Sequence, residues 1–485
     1  MRPEAGAPGR RLAIAAILLL TAFRVITLWF DRTELYTDEA QYWFWGQDLA
    51  FGAFSKPPLI GWLIRAMTEL FGQTEFAVRL VAPLLHGITA LLVLALGLRI
   101  ASDRVAGFAA LSYATLPAVA LGSALVSTDT PLLACIAAGL LMQHVLAARA
   151  LRGQGAPLLA VTLGLVLGLG FLAKYAMVYA MAGMVAAALV SRDWRIRRAD
   201  LGIAALVFAA TIAPNLWWVA AHGFVTAKHL AADAEWAGPK LDALRGLKFM
   251  AEQFAVMGPV LFGAWLLALV TPGRGSGALR GLLAASALVL GIVVVQAVTS
   301  RALANWGVGF VIAGCLVAAA RLERAPLLRA LSLALGLALS LALPILKIEG
   351  TTLRLPNGQL MLDRYLGRAE VSQRAIALAQ QNGAGVILSA DRELLADLSW
   401  QVRAGGPEVF AAPFDGAPRH HWDLTRPYPG GTAPVVLLAK GDQPPTCRPG
   451  TAPLLVDHWT AGPGFAEGRA FTLSLLPADC LVPAP

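Results

Sequence analysis

From residue 12 to residue 346 the chain is a succession of apolar runs separated by short polar breaks. At about 20 residues each, the runs are long enough to cross the hydrocarbon core of a bilayer. Eleven spans are expected, at 12–30, 82–99, 105–121, 131–148, 157–173, 176–190, 201–220, 255–270, 281–299, 306–320 and 328–346. After residue 350 the pattern changes: apolar stretches shrink to strand length, and Pro, Gly, Asp and Arg punctuate them. "GVILSA", "PEVFAA", "APVVLLAK" and "AFTLSLL" read as strands, whereas "SQRAIALAQQ" and "RELLADLSWQV" have helical spacing. The expected architecture is an α-helical polytopic membrane domain over 1–349, followed by a small α/β domain over 350–485 with enough residues for its own core.

Two segments between spans are too long for turns, 31–80 and 221–253. Within the first, "PPLIGWLIRAMTELFG" begins with prolines suited to a first helical turn and ends on Gly72, a helix stop. Its Leu59, Trp62, Leu63, Ala66 and Leu70 share one face, as in a helix lying along the membrane surface.

Composition agrees with the pattern: 57% of the 485 residues are hydrophobic and only 14% charged, which excludes an ordinary soluble protein. The net charge of +9 follows from topology. With the N-terminus in the cytoplasm, sixteen arginines fall in short cytoplasmic segments: Arg2, Arg10, Arg11, Arg99, Arg104, Arg149, Arg152, the four of "SRDWRIRR", Arg274, Arg280, Arg321, Arg324 and Arg329. An odd number of spans then puts the C-terminal domain, and both long loops, outside. These basic residues are spread over separate loops without interleaved aromatics, so nucleic acid is not an expected partner. The first run continues through Arg24 to Phe30 with no small-residue cleavage site, which favours a retained helix over a signal peptide. Cys135 and Cys315 fall within spans as packing residues; Cys447 and Cys480 lie in the outer domain, where an oxidising compartment permits a disulfide that sequence alone does not establish.

Candidate chemistry collects on the outer side. Asp38 and Glu39 follow Thr37, a potential cap, so they serve either as favourable acids in a first helical turn or as a general base with an acidic neighbour. Tyr42, Trp43, Phe44 and Trp45 match an interfacial aromatic belt. Lys56 either snorkels or pairs with a lipid phosphate. Asp129 is a helix-starting acid ahead of Pro131 or a second carboxylate facing a substrate, and Lys174 with Tyr175 interrupts an apolar run near the outer surface. Arg301 stands in a very short outer loop against the charge bias, which suits a phosphate contact. His222, His229, Asp233 and Glu235 lack a zinc-site spacing, so a divalent metal is possible but not indicated. His420 and His421 are expected at the surface, and the glycines of "LGLVLGLGF" in close helix packing.

The motifs "DEAQYW", "SKPPLIGWL", "EFAVRL", "STDTPLL", "GLGFLAKY", "PNLWWVAAHGF" and "ANW", in this order over about 300 residues, together resemble the family 39 glycosyltransferases. These are GT-C-fold enzymes that include protein O-mannosyltransferases and the bacterial transferase adding aminoarabinose to lipid A. The resemblance implies a bacterial inner-membrane enzyme that moves a sugar, with inversion, from a polyprenyl-phosphate donor to an extracytoplasmic lipid A, polysaccharide, lipid or protein acceptor. It also implies roles: Asp38 as base or acceptor-orienting group with Glu39 beside it, Lys56 at the donor phosphate, and Arg79 in a supporting position. A secondary transporter is the alternative, but its ionisable residues belong at the bilayer midplane rather than in outer loops.

Overall fold

The computed structural model describes residues 7–235, 241–271 and 275–481, with side chains from Gly9 onward. Arg2 and Arg274 of the cytoplasmic arginines lie outside the described residues. The chain forms two compact units: Met1–Trp29, Lys56–Ile60 and Arg79–Pro344 make up one, and Phe30–Ser55, Gly61–Val78 and Ile345–Pro485 the other. The first long loop is therefore divided, with most of it grouping with the C-terminal residues.

In the first unit each expected span falls on a helix, and the protein is a multi-pass membrane protein. Among the described residues seven helices are long and apolar enough to cross a membrane: Gly9–Trp29, Glu75–Ile100, Asp129–Ala150, Arg198–Ala221, Gly277–Thr299, Ala304–Arg321 and Pro326–Ile348. Shorter apolar helices, Pro157–Ala173, Met177–Val190 and Pro259–Val270, occupy three further positions. The span expected at 105–121 is two pieces, Asp103–Ala114 and Pro117–Gly122. Pro117 has no N–H to continue the first helix and instead opens the second.

Glycine sets how closely these helices approach. A Cβ on Gly164 would lie 2.5 Å from the Ala204 carbonyl oxygen, so Pro157–Ala173 meets Arg198–Ala221 almost backbone to backbone, as the glycine-rich run predicts. Indole N–H groups in the interior find acceptors: Trp194 donates to the Ala278 carbonyl at 3.0 Å and Trp265 to Ser286 Oγ at 2.9 Å. Arg24, buried within the first helix, donates to the Ala114 carbonyl at 2.8 Å and to Ser340 Oγ at 3.1 Å, tying three helices together. Leu158, Leu189, Leu206 and Leu327 remain exposed along the outside, as lipid-facing residues do.

The second unit is built on a mixed five-stranded sheet of order β2-β1-β3-β5-β4: β1 (Val386–Ser389), β2 (Glu408–Ala411), β3 (Val435–Lys440), β4 (Leu455–Thr460) and β5 (Ala470–Leu476). β1 pairs in parallel with β2 and β3, while β5 runs antiparallel to β3 and β4. The helices Arg368–Gln381 and Arg392–Gln401 follow their predicted spacing. β4 was not expected: "LVDHWT" is an exposed edge strand whose side chains bury little, so it lacks the apolar signature of its neighbours. The helices Thr37–Gln47 and Leu59–Phe71 also belong largely to this unit and cross at Gly46 and Gly61, where a Cβ on Gly46 would lie 2.5 Å from the Gly61 carbonyl oxygen.

Cys447 and Cys480 are joined, with Cα atoms 4.5 Å apart. Replacing both by Ser is expected to destabilise the second unit by about 3–4 kcal/mol, from loop closure over the 33 residues between them. The check is the thermal midpoint of tryptophan fluorescence, which reductant should lower equally in the unmodified protein and not in the variant.

Candidate active site

The helix Thr37–Gln47 carries the acid pair, and its two carboxylates are differently placed. Glu39 is buried, and its Oε2 accepts the backbone N–H of Tyr36 at 2.9 Å, closing the first turn as a capping box does. Asp38 is 41% exposed, and its Oδ1 accepts from Arg392 Nη2 at 2.9 Å. Arg392 Nη1 reaches Gln41 Oε1 at 3.1 Å, so one guanidinium bridges two residues of the helix. The aromatics are not a lipid-facing belt: Tyr42, Trp43 and Trp45 are buried. Tyr42 lies against Trp45 at 5.2 Å, Trp43 meets the Trp400 ring edge-on at 5.0 Å, and Phe44 stacks on Trp422 at 4.7 Å. His420 and His421 are likewise buried, contrary to the surface position expected of them. His420 Nδ1 accepts the N–H of Asp423, and His421 packs between Phe44 and Trp45.

Arg368 fastens the entry to this helix. It is buried, donates to Thr37 Oγ1 at 2.9 Å, lies over the Phe465 ring at 3.7 Å, and its backbone N–H meets Glu34 Oε2 at 2.6 Å. Nearby Asp397 is also buried and accepts from Ser372 Oγ at 2.5 Å. Burial pushes its carboxyl from 3.8 up to about 6, outweighing the Ser372 hydrogen bond and the Arg368 charge that pull the other way. The folded state therefore holds this proton to higher pH than the unfolded chain. The Asp397 contribution favours folding most below pH 3.8, and stability declines as pH rises to about 6. Asp397→Asn is expected to flatten that decline, worth about 3 kcal/mol. Subtracting variant from wild-type melting curves between pH 4 and 7 isolates it, and parallel curves would refute the assignment.

In the first unit a cavity of about 390 Å³ brings together Lys56, Lys174, Tyr175, Tyr179, Gln296 and Trp306. Lys174 follows the end of Pro157–Ala173, and its Nζ lies 2.6 Å from Oδ1 of Asp129, the first residue of Asp129–Ala150. The other Asp129 oxygen accepts from Asn305 Nδ2 at 2.8 Å. Asp129 thus opens its helix and holds a lysine at the cavity wall. Tyr175 donates to Asn215 Oδ1 at 3.1 Å, linking "GLGFLAKY" with "PNLWW".

Arg301 is not in this cavity. It lines a neighbouring one of about 560 Å³ with Arg245 and Lys248, and its guanidinium stands 3.8 Å from Asp233 and 4.0 Å from Glu235. Asp233 lines the first cavity and Glu235 the second, so the turn they flank is a shared wall. His222 lies outside both linings; it is exposed, stacks on Trp218 at 4.0 Å and bonds the Trp218 carbonyl. Arg79 is fully buried in Glu75–Ile100. Among the described residues no three His, Cys, Asp or Glu side chains gather as a metal ion requires. Arg392, Arg368 and Asn305 are the neighbours that sequence reasoning missed. "ANW" pointed to Asn305, whereas the two arginines give no local signal, lying 354 and 331 positions from the residues they bind.

The family model described as dolichyl-phosphate-mannose-protein mannosyltransferase matches residues 55–218. The chain is 37% identical over 478 residues to the lipid A galacturonosyltransferase RgtD of Rhizobium johnstonii, covering 98% of this chain and 99% of that protein. Crystal structures of ArnT from Cupriavidus metallidurans share its fold. The apo form matches with a TM-score of 0.66 at 14% identity over 99% of this chain and 100% of that one, and the form bound to undecaprenyl phosphate gives the same score over 95% and 97%. With more than a third of its residues shared with RgtD along nearly its whole length, the chain belongs to the GT-C-fold, family 39-like glycosyltransferases, and is a membrane glycosyltransferase.

Proposed function

We propose that this enzyme transfers a galacturonosyl group from a polyprenyl-phosphate donor to lipid A at the outer face of a bacterial inner membrane. The observation that carries the reading is the 37% identity, end to end, with a lipid A galacturonosyltransferase. A polyprenyl donor is supported by the undecaprenyl phosphate bound to ArnT, which has the same fold. The arginine distribution supports a cytoplasmic N-terminus and a periplasmic C-terminal domain.

In the reaction the acceptor hydroxyl oxygen forms a bond to the anomeric carbon as the bond from that carbon to the donor phosphate oxygen breaks. The phosphate leaves with the electron pair, the sugar configuration inverts, and the hydroxyl proton passes to Asp38. Lys56 and Lys174 stabilise the charge growing on the phosphate, a role that their shared cavity and amphipathic lining support. Glu39 keeps the helix start closed, so that Asp38 alone of the pair faces the acceptor.

Purified protein in liposomes with labelled polyprenyl-phosphogalacturonate and lipid A tests this directly. Galacturonosylated lipid A is the expected product; transfer of a different sugar, or to a different acceptor, overturns the specificity. Lys56→Ala is expected to lower turnover by about 10²-fold, with Lys56→Arg retaining much of it.

A further inference from the structure

A third cavity, of about 720 Å³, opens at the end of the bundle where Glu75–Ile100 turns into Asp103–Ala114 and where Pro326–Ile348 begins. Ser102 Oγ donates to Glu323 Oε1 at 2.9 Å, which ties the two turns together. Four charges line the space, Arg104 and Arg329 with Asp103 and Glu323. Arg329 is the informative one. Its guanidinium lies over the Phe108 ring at 5.9 Å, and its Nε is buried without a partner among the described residues, which is costly unless a ligand supplies an acceptor.

The rest of the lining includes the apolar side chains of Leu12, Phe108, Leu111 and Leu333, and Leu12 is exposed. Gly9 and Gly107 leave room on the same wall. A lining that combines charged with apolar side chains fits a lipid, and the volume lies within the roughly 300–1,000 Å³ of small-molecule sites. The charge pattern narrows the class. A phosphate satisfies the arginines, but a headgroup that is only anionic leaves two carboxylates facing it. A quaternary ammonium balances the carboxylates but donates no hydrogen bond to them.

We propose that this cavity binds a zwitterionic aminophospholipid, its phosphate on Arg329 and Arg104 and its primary ammonium on Glu323 and Asp103. The site is separate from the cavity of Lys56 and Lys174, which shares no lining residue with it. The lipid bridges the first helix to two others at their ends and holds that end of the bundle together.

The test is native mass spectrometry of the full-length, delipidated protein titrated separately with phosphatidylethanolamine, phosphatidylglycerol, phosphatidylcholine and inorganic phosphate. One phosphatidylethanolamine should be retained about tenfold more than phosphatidylcholine, the scale of one charge-assisted hydrogen bond. Arg329→Gln should lower retention of every phospholipid, whereas Glu323→Gln, which still accepts from Ser102, should remove only the preference for phosphatidylethanolamine. Normal glycosyl transfer in detergent serves as the fold control for both variants. Equal retention of the three lipids, preference for phosphatidylglycerol, saturation by inorganic phosphate alone, or variants that bind as the wild type does would each overturn the proposal.

Discussion

Asp38→Asn is expected to reduce turnover by about 10²- to 10⁴-fold, the range for loss of a positioned general base, with little effect on folding. The asparagine carbonyl oxygen can still accept from Arg392 Nη2, which Asp38 Oδ1 now meets at 2.9 Å. Because both partners are about two-fifths exposed, the ion pair itself contributes at most about 1 kcal/mol. The substitution therefore removes proton affinity while keeping shape. Arg392→Ala removes the group that fixes the carboxylate and should cost less, acting on acceptor use rather than abolishing transfer. The measurement is steady-state transfer to lipid A at saturating donor, with insertion checked by size exclusion. A loss under tenfold for Asp38→Asn would leave the carboxylate an orienting partner of Arg392, as when the attacking group of the acceptor is itself an ionised phosphate.

The membrane-spanning part of this fold is legible from one dimension because a bilayer imposes a single, local demand, about 20 apolar residues in a row. The span expected at 105–121 is the exception, because Pro117 divides it into two helices. In the second unit β1, β3 and β5 carry their burial in their own residues, whereas β4 is defined by a partner, β5, and "LVDHWT" has no pattern to announce it.

The site was legible only in part for the same reason. Asp38, Lys56 and Lys174 stand out as charges in apolar surroundings. What each one touches depends on residues 354 positions away for Asp38 and 45 for Lys174, distances over which no periodicity operates. The aromatics of "QYWFWG" have the composition of an interfacial belt, but Trp400 and Trp422 lie far down the chain and turn that stripe into a core. Arg301 shows the opposite failure. Its isolation in a short loop suits a phosphate contact, but its guanidinium stands near Asp233 and Glu235 and it lines a different cavity from Lys56.

Lys174→Ala is expected to destabilise the first unit by about 1–3 kcal/mol, the cost of leaving a partly buried carboxylate without its cation. Asp129 and Lys174 are each only 16% exposed and 2.6 Å apart, and Asn305 neutralises none of the charge that the lysine offsets. The double variant Asp129→Ala with Lys174→Ala removes both charges and should recover most of the lost stability, giving a coupling well above the roughly 0.5 kcal/mol expected of independent sites. Transfer kinetics on that double variant then separate the two duties of the lysine. Lys174 shares its cavity with Lys56, so if it contacts donor phosphate, the refolded double variant will show a raised KM for donor and a reduced kcat. Restoration of both stability and transfer would confine Lys174 to pairing with Asp129 and leave Lys56 to meet the phosphate.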